Sequence, residues 1–297
     1  MPPTRVLIQL DCDPQPSTFD AIVAVDAGAE VLLRHGGVTP DAAVPLVHGA
    51  MFTRGGGDLS STAIFIGGSD VAAAEAVYER VRSTFFGPVR VGVLLDPSGA
   101  NTTAAAAVVA AARHVPLDGA SAAGTCHAVV LGGTGPVGQR VARLLARKGV
   151  IVTLASRSRE RAAAACARIA AQVPHAKLVP VESGAGVPRG SPLGVAVEGA
   201  DVIVSAGAAG AVLLDAAGRS LAGRARVLID LNAVPPAGID GIEASDKARR
   251  VGAAVVYGAL GVGGTKMKIH RAAIGRIFAA NDVCLDAEEL LAIGESL

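Results

Sequence analysis

The chain has 297 residues, 51% of them hydrophobic and 18% charged, enough for two medium domains with a substantial buried core. Its 27 basic and 26 acidic side chains nearly cancel to a net charge of +1, and aromatics make up 3% with no tryptophan. Neither a field for holding a polyanion nor a platform for stacking bases is present, so these numbers argue against nucleic acid as a partner. No window approaches the roughly 20 uninterrupted apolar residues that span a bilayer, which argues against a membrane.

Cysteines 12, 126, 166 and 284 lie far apart, with no CxxC pair and no His/Cys cluster at zinc spacing. Reduced structural thiols, no metal and a cytoplasmic location are the expectation. The apolar run before Asp11 is too short for the core of a signal peptide.

In chain order, residues 6–10 predict a short strand, followed by a polar Asp/Pro turn and a helix over 19–26. A strand over 62–66 closes on Gly67 and Gly68, and Asp70 is placed to cap an amphipathic helix over 71–84. Residues 89–95 read as the next strand, and Asn101, Thr102 and Thr103 can start an alanine-rich helix to about Arg113. The loop 114–125 is the expected domain boundary.

Beyond it, strand and helix alternate over 127–131, 136–148, 150–154 and 159–172, and further strands are expected near 200–205, 227–231 and 253–257. Residues 183–194 read as a surface loop. From Lys266 to about residue 280 an amphipathic helix is predicted, and Asp286 with Glu289 has the spacing of an acidic cap before Leu290 and Leu291. Alternating strands and helices imply an α/β fold with parallel sheets. The division predicted is one domain over 1–115, completed by C-terminal helices over 266–297, and a second, Rossmann-type domain over 116–265.

The motif of the second domain is Gly133-Thr134-Gly135-Pro136-Val137-Gly138, a GxGxxG run that follows an apolar strand and opens a helix. In that context the first glycine permits a tight turn, the second lets the backbone approach a pyrophosphate, and the third lets helix and strand pack closely. The helix N-terminus adds unpaired amides and the positive end of a dipole. Where an NAD-binding chain carries a carboxylate at the end of the second strand, this one has Ser156 followed by Arg157, with Arg161 one helical turn on. A hydroxyl and guanidinium groups suit the extra phosphate of NADP. The competing reading makes Arg157, Arg159 and Arg161 the solvated start of a helix.

Ala206 and Gly207 follow the fourth strand of this unit, where small residues let a coenzyme lie against the backbone. Asn232, past the fifth strand, reaches either the nicotinamide end of the coenzyme or only the turn before Pro235 and Pro236. No Ser/His/Asp set, HExxH or Walker lysine is supported by a motif, so hydrolysis and phosphoryl transfer lack their parts. The six histidines are scattered, which counts against a dehydrogenation that needs a proton moved.

Seven segments then carry a resemblance: LDCDPQPSTFDAIVAVDAGA (10–29), RGGGDLSSTAIFIGGSD (54–70), FFGPVRV (85–91), DPSGANTTAAAAV (96–108), GGTGPVG (132–138), DLNAVPPAGI (230–239) and YGALGVGGTKMKIHRA (257–272). Over essentially the whole chain the sequence resembles the bacterial NADP-dependent methylene-tetrahydromethanopterin dehydrogenases. The resemblance implies an N-terminal pterin domain and an NADP domain around a cleft. It also implies hydride transfer from methylene-tetrahydromethanopterin to NADP in formaldehyde oxidation, with methylene-tetrahydrofolate as a further substrate of some members, and assembly as homotrimers or homohexamers.

It carries over Asp20 and Lys266 as catalytic, substrate-contacting residues, and Asp13, Asn101, Thr102 and Thr103 as further substrate contacts. On residue type alone each has a plainer reading: Asp13 a turn former, Asp20 a helix-surface charge, the Asn-Thr-Thr trio an N-cap, Lys266 with Lys268 a solvated face. One member of the family that this chain resembles has Gly-Arg-Lys where this chain has Ser156-Arg157-Ser158, keeping the arginine and changing its neighbours. The alternatives are a methylene-tetrahydrofolate dehydrogenase using NADP, and a non-catalytic Rossmann protein that senses NADP.

Overall fold

The computed structural model describes residues 3–118, 125–184 and 186–297. They cluster into two compact units, residues 1–102 with 267–297 and residues 103–266.

The first unit contains β1 (Val6–Asp11), α1 (Thr18–Asp26), β2 (Val31–His35), α2 (Pro40–Phe52), β3 (Thr62–Gly67), α3 (Val71–Thr84) and β4 (Gly92–Leu95). It also contains the first residues of α4 (Ala100–Ala112). The second unit continues with β5 (His127–Leu131), α5 (Pro136–Arg147), β6 (Ile151–Ser156), α6 (Arg159–Gln172), β7 (Leu178–Glu182), α7 (Pro192–Gly199), β8 (Val202–Ser205), α8 (Ala216–Leu221), β9 (Val227–Asp230), β10 (Arg249–Val251) and β11 (Ala254–Tyr257). Helix α9 (Ala259–Ile277) returns the chain to the first unit, where β12 (Cys284–Leu285) and α10 (Ala287–Glu295) end it.

The first sheet has the order β12-β4-β3-β1-β2 and all its pairings are parallel. Its central strand β3 is buried along its length. Ile8, Leu10, Ile64, Ile66, Val93 and Leu95, which alternate onto one face of the sheet, meet Val47 and Met51 of α2 and Val77 and Val81 of α3 in one core. Pairing of β12 with β4 ties the C-terminal segment into this sheet. Asp286 and Glu289 then form the reciprocal capping box of α10.

The second sheet has the order β10-β11-β9-β8-β5-β6-β7, parallel except for the β10–β11 hairpin. Strand order reverses between β5 and β8, so the carboxyl ends of these two strands form the switch point at which such sheets receive ligands. The first sheet reverses likewise between β1 and β3.

Several elements differ from the sequence expectation. The strand β2, the helix α2 and the strand β7 were not anticipated, and the segment read as a loop over 183–194 already contains the start of α7, capped by Ser191; Ala185 within it lies outside the described residues. Helix α9 begins at Ala259 rather than Lys266. The first division between units falls inside α4, ahead of the loop 114–125, of which 119–124 lie outside the described residues.

Candidate active site

The glycine loop sits at the end of β5. The left-handed residue of its turn is Gly132 (φ 66°), one position before the motif, and not Gly133 as the spacing suggested. A methyl on Gly132 would stand 2.6 Å from Gly207 Cα, so the close approach of the loops after β5 and β8 requires glycine at position 132. At Gly133 a methyl would lie 2.5 Å from Leu154 Cγ, and at Gly138 2.8 Å from Gly133 Cα, which is the close helix-on-strand packing the third glycine provides.

Gly135 is different. Its φ is −72° and a methyl would meet nothing nearer than 3.4 Å, so neither backbone conformation nor the protein's own packing demands glycine. It is also the N-cap of α5 and supplies no side chain to that helix end. The amides of Val137 and Gly138 have no partner within the helix, while Pro136 has no amide to leave unpaired. An anion lying against this bare backbone accounts for the glycine, and the geometry fits a pyrophosphate.

Strand β6 ends beside the loop. Ser156 is 4% exposed and its hydroxyl lies 3.2 Å from that of Thr134. It therefore braces the loop from beneath. Arg157 and Arg161 are exposed, and neither guanidinium has a partner among the described residues. Ser158 accepts from the Arg161 amide and caps α6, which directs the chain so that Arg157 and Arg161 flank the helix start. Two unpaired cations, with Ser156 rather than a carboxylate as the last residue of the strand, suit a 2′-phosphate.

Ala206 and Gly207 leave β8 at the switch point, and the Ala206 amide donates to Leu131 O at 2.9 Å. After β9 the buried Asp230 carboxylate accepts from the amides of Asn232 (3.1 Å), Gly238 (2.6 Å) and Ile239 (3.2 Å), pinning the following loop. Within it the Asn232 amide group donates to Pro236 O at 3.0 Å and its carbonyl accepts from Val234 N at 3.0 Å. Of the two readings of Asn232, the turn is the one this geometry displays.

In the first unit, Asp13 and Asp20 both follow β1 at its carboxyl end. The Asp13 carboxylate accepts from Ser69 N at 2.9 Å and Ser69 Oγ at 2.7 Å, joining the loops after β1 and β3. Behind it, Asp11 is 1% exposed and accepts from the amides of Asp13 and Ser17 at 3.0 Å each. Asp20 lies in the first turn of α1, its amide donating to the capping Ser17 Oγ at 3.3 Å.

Asn101 and Thr102 are a correction. Both are 0% exposed, and their amides donate to the buried Asp96 carboxylate at 2.9 and 3.0 Å, with the Thr102 hydroxyl on the same group at 2.6 Å. The Asn101 side chain donates to Leu95 O and Asp286 Oδ1. Buried groups bonded to one another present nothing to a ligand; they fasten the start of α4. Thr103, the next residue, has the opposite fate. With Lys266 it lines a pocket of about 180 Å³ whose remaining walls are Leu231, Ala259, Val262 and Gly263.

His35 ends β2 beside Leu10 of β1, and three other histidines are held in contacts of their own. His127 is the first residue of β5 and bonds Thr153 Oγ1 at 2.9 Å, His114 bonds the Tyr257 hydroxyl at 2.8 Å, and His270 is buried against the Phe65 ring. All four cysteines are free thiols. Burial, reinforced by Asp11, Asp13 and Asp70, pushes Cys12 up to about 11, so the thiol beside the β1 loop is not a nucleophile at neutral pH. Among the described residues no group of three His, Cys, Asp or Glu could hold a metal, and no helix is long and apolar enough to cross a membrane.

A family model for the N-terminal part of methylene-tetrahydromethanopterin dehydrogenase matches residues 18–98. The chain is 41% identical over 293 residues to the bifunctional protein MdtA of Methylorubrum extorquens, covering 99% of each chain. It is 33% identical over 274 residues to the NAD(P)-dependent methylenetetrahydromethanopterin dehydrogenase of the same organism, covering 91% of each. The chain belongs to the methylene-tetrahydromethanopterin dehydrogenase family. Among solved structures, quinate dehydrogenase from Corynebacterium glutamicum is similar at a TM-score of 0.52 and 17% identity, covering 99% of each chain. Ornithine transcarbamoylase from Giardia lamblia is similar at 0.52 and 11%, covering 93% of this chain and 86% of that one. Two unrelated activities on one architecture show that these likenesses carry the fold alone.

Proposed function

We propose that this protein oxidises methylene-tetrahydromethanopterin to the methenyl form by hydride transfer to NADP, in the oxidation of formaldehyde through C1 carriers. The observation that carries the reading is an intact nucleotide loop, with Arg157 and Arg161 beside it, in a chain whose relative over 91% of its length is named for that activity.

Bound NADP supplies the hydride-accepting carbon. The chemistry asks little else of the protein, because a carbon between two nitrogens that loses hydride becomes a cation delocalised by the nitrogen lone pairs. No proton has to move, so the reaction asks for no general acid or base. The chain's tasks are to hold the reactants in a near-attack geometry, to exclude water and to stabilise the developing positive charge. The amides at the start of α5 hold the pyrophosphate, and Arg157 and Arg161 hold the 2′-phosphate. Asp20 supplies the negative charge that favours the product cation; Lys266 and Thr103 donate to polar atoms of the bound reactants.

In this reading residues 1–102 with 267–297 are the pterin unit and 103–266 the NADP unit. The protein works in the cytoplasm as a homotrimer or homohexamer, a setting that suits four unpaired thiols. Parallel assays with methylene-tetrahydromethanopterin and methylene-tetrahydrofolate, each with NADP and NAD, test it. NADP reduction with the methanopterin carrier is expected; reduction only with the folate carrier would make this a methylene-tetrahydrofolate dehydrogenase. Tight NADP binding with no turnover on either carrier would make it a sensor.

A further inference from the structure

The start of α9 is glycine-rich for two different reasons. A methyl on Gly258 or Gly261 would run into the backbone of Glu243, Ala244 or Asp246, so these two let the helix start pack against the 243–247 loop. Gly263 and Gly264 have no such neighbour. Both are helical, neither has a positive φ, and a methyl on either would meet no heavy atom within 4 Å. Glycine inside a helix is disfavoured against alanine, and nothing in the protein compensates for it at these positions.

Gly263, unlike Gly264, faces the pocket of about 180 Å³ that also brings Thr103 and Lys266 together. The whole pocket is built from residues of the second unit, past the carboxyl end of β9. Its walls at Leu231, Ala259 and Val262 are apolar, and its two polar side chains are a hydroxyl and an ammonium, both donors.

We propose that Gly263 is a specificity-determining residue: its missing side chain lets the flat face of a nitrogen heterocycle lie against the α9 backbone while Lys266 and Thr103 donate to a carbonyl on that ring. The inference rests on the dehydrogenase reading above. Two reactants share this chemistry, the nicotinamide with its carboxamide and the pterin with its ring carbonyl, and the binding measurements separate them.

The test compares Gly263→Ala, Gly263→Leu, Gly264→Ala and Gly275→Ala, the last at another α9 glycine with open space around it but away from the pocket. All three alanine variants should unfold at a higher temperature than the parent. Only the Gly263 variants should lose activity, with kcat/KM down about tenfold for alanine and about a hundredfold for leucine, while the other two stay within about twofold. NADPH fluorescence titration and titration with methenyl-tetrahydromethanopterin then assign the ring, by which Kd rises in Gly263→Leu.

A folded Gly263→Leu protein that binds both ligands and turns over like the parent would overturn the proposal, as would equal losses at Gly264 or Gly275. Should Gly263→Leu not fold, Gly263→Ala decides the same question. If the parent itself reduces no NADP, the dehydrogenase reading fails, yet the titrations still decide Gly263: weaker binding there alone supports it, and unchanged binding overturns it.

Discussion

The Thr134 hydroxyl lies 3.2 Å from the hydroxyl of Ser156, joining the glycine loop to the end of β6. Because Ser156 is 4% exposed, its contribution to the coenzyme site is to hold the loop in place. Ser156→Ala should cost about 1 kcal/mol of stability and raise the KM for NADP and NAD by the same factor. A loss confined to NADP would instead make Ser156 a direct contact to the 2′-phosphate.

Arg157 carries the discrimination. It is exposed and unpaired among the described residues, so its charge is available to a ligand. Arg157→Asp should raise the KM for NADP by about a hundredfold, the scale of two charge-assisted hydrogen bonds replaced by repulsion, and leave the KM for NAD nearly unchanged. Steady-state kinetics with both coenzymes measure this, and equal losses would exclude the 2′-phosphate role.

Asp96 is a structural carboxylate with 0% exposure that holds two amides and a hydroxyl at the start of α4. Asp96→Ala strands those donors in the interior and should lower stability by about 2–4 kcal/mol in urea unfolding. Asp96→Asn, which keeps an acceptor for the two amides, should lose about half as much. Near-parental stability of the alanine variant would show that the network is dispensable.

Stability should fall in mild acid. Burial, only partly opposed by the Gly199 carbonyl and Asp201, holds the His127 pKa below its ordinary 6.5; burial and then Arg113, Arg250 and Arg226 do the same to His114. Between the folded and unfolded values the unfolded chain binds more protons, so stability rises with pH there. It is complete above 6.5 and is lost as the pH drops below that value. Urea midpoints should be lower at about pH 5 than at about pH 8. Turnover, by contrast, should show no histidine-like step over the range where the fold is intact.

The elements legible in the sequence are those with local signals. Asp70 before Val71–Thr84 announces its helix through a cap that the structure displays, and the glycine loop is one continuous motif. What was not legible depends on neighbours. The two-residue β12 exists only as a pairing with β4. The edge strand β2 is mostly exposed and shows no alternation, and α2 hides behind the interior Pro45. In the site, Asn101, Thr102 and Thr103 look alike in sequence. Only the position of Asp96 consigns the first two to the interior, and only the fold brings Thr103 to Lys266, which stands far along the chain at the third turn of a helix whose start is disguised by glycines.

The most direct test of the central claim is to follow the hydrogen itself. Methylene-tetrahydromethanopterin carrying two deuteriums on the methylene carbon should be incubated with the enzyme and NADP in ordinary water, and the NADPH formed examined by NMR or mass spectrometry. Direct hydride transfer requires one deuterium at the nicotinamide C4 of every NADPH, on one face of the ring, with none lost to solvent. NADPH carrying solvent hydrogen, or no NADPH at all, would contradict it.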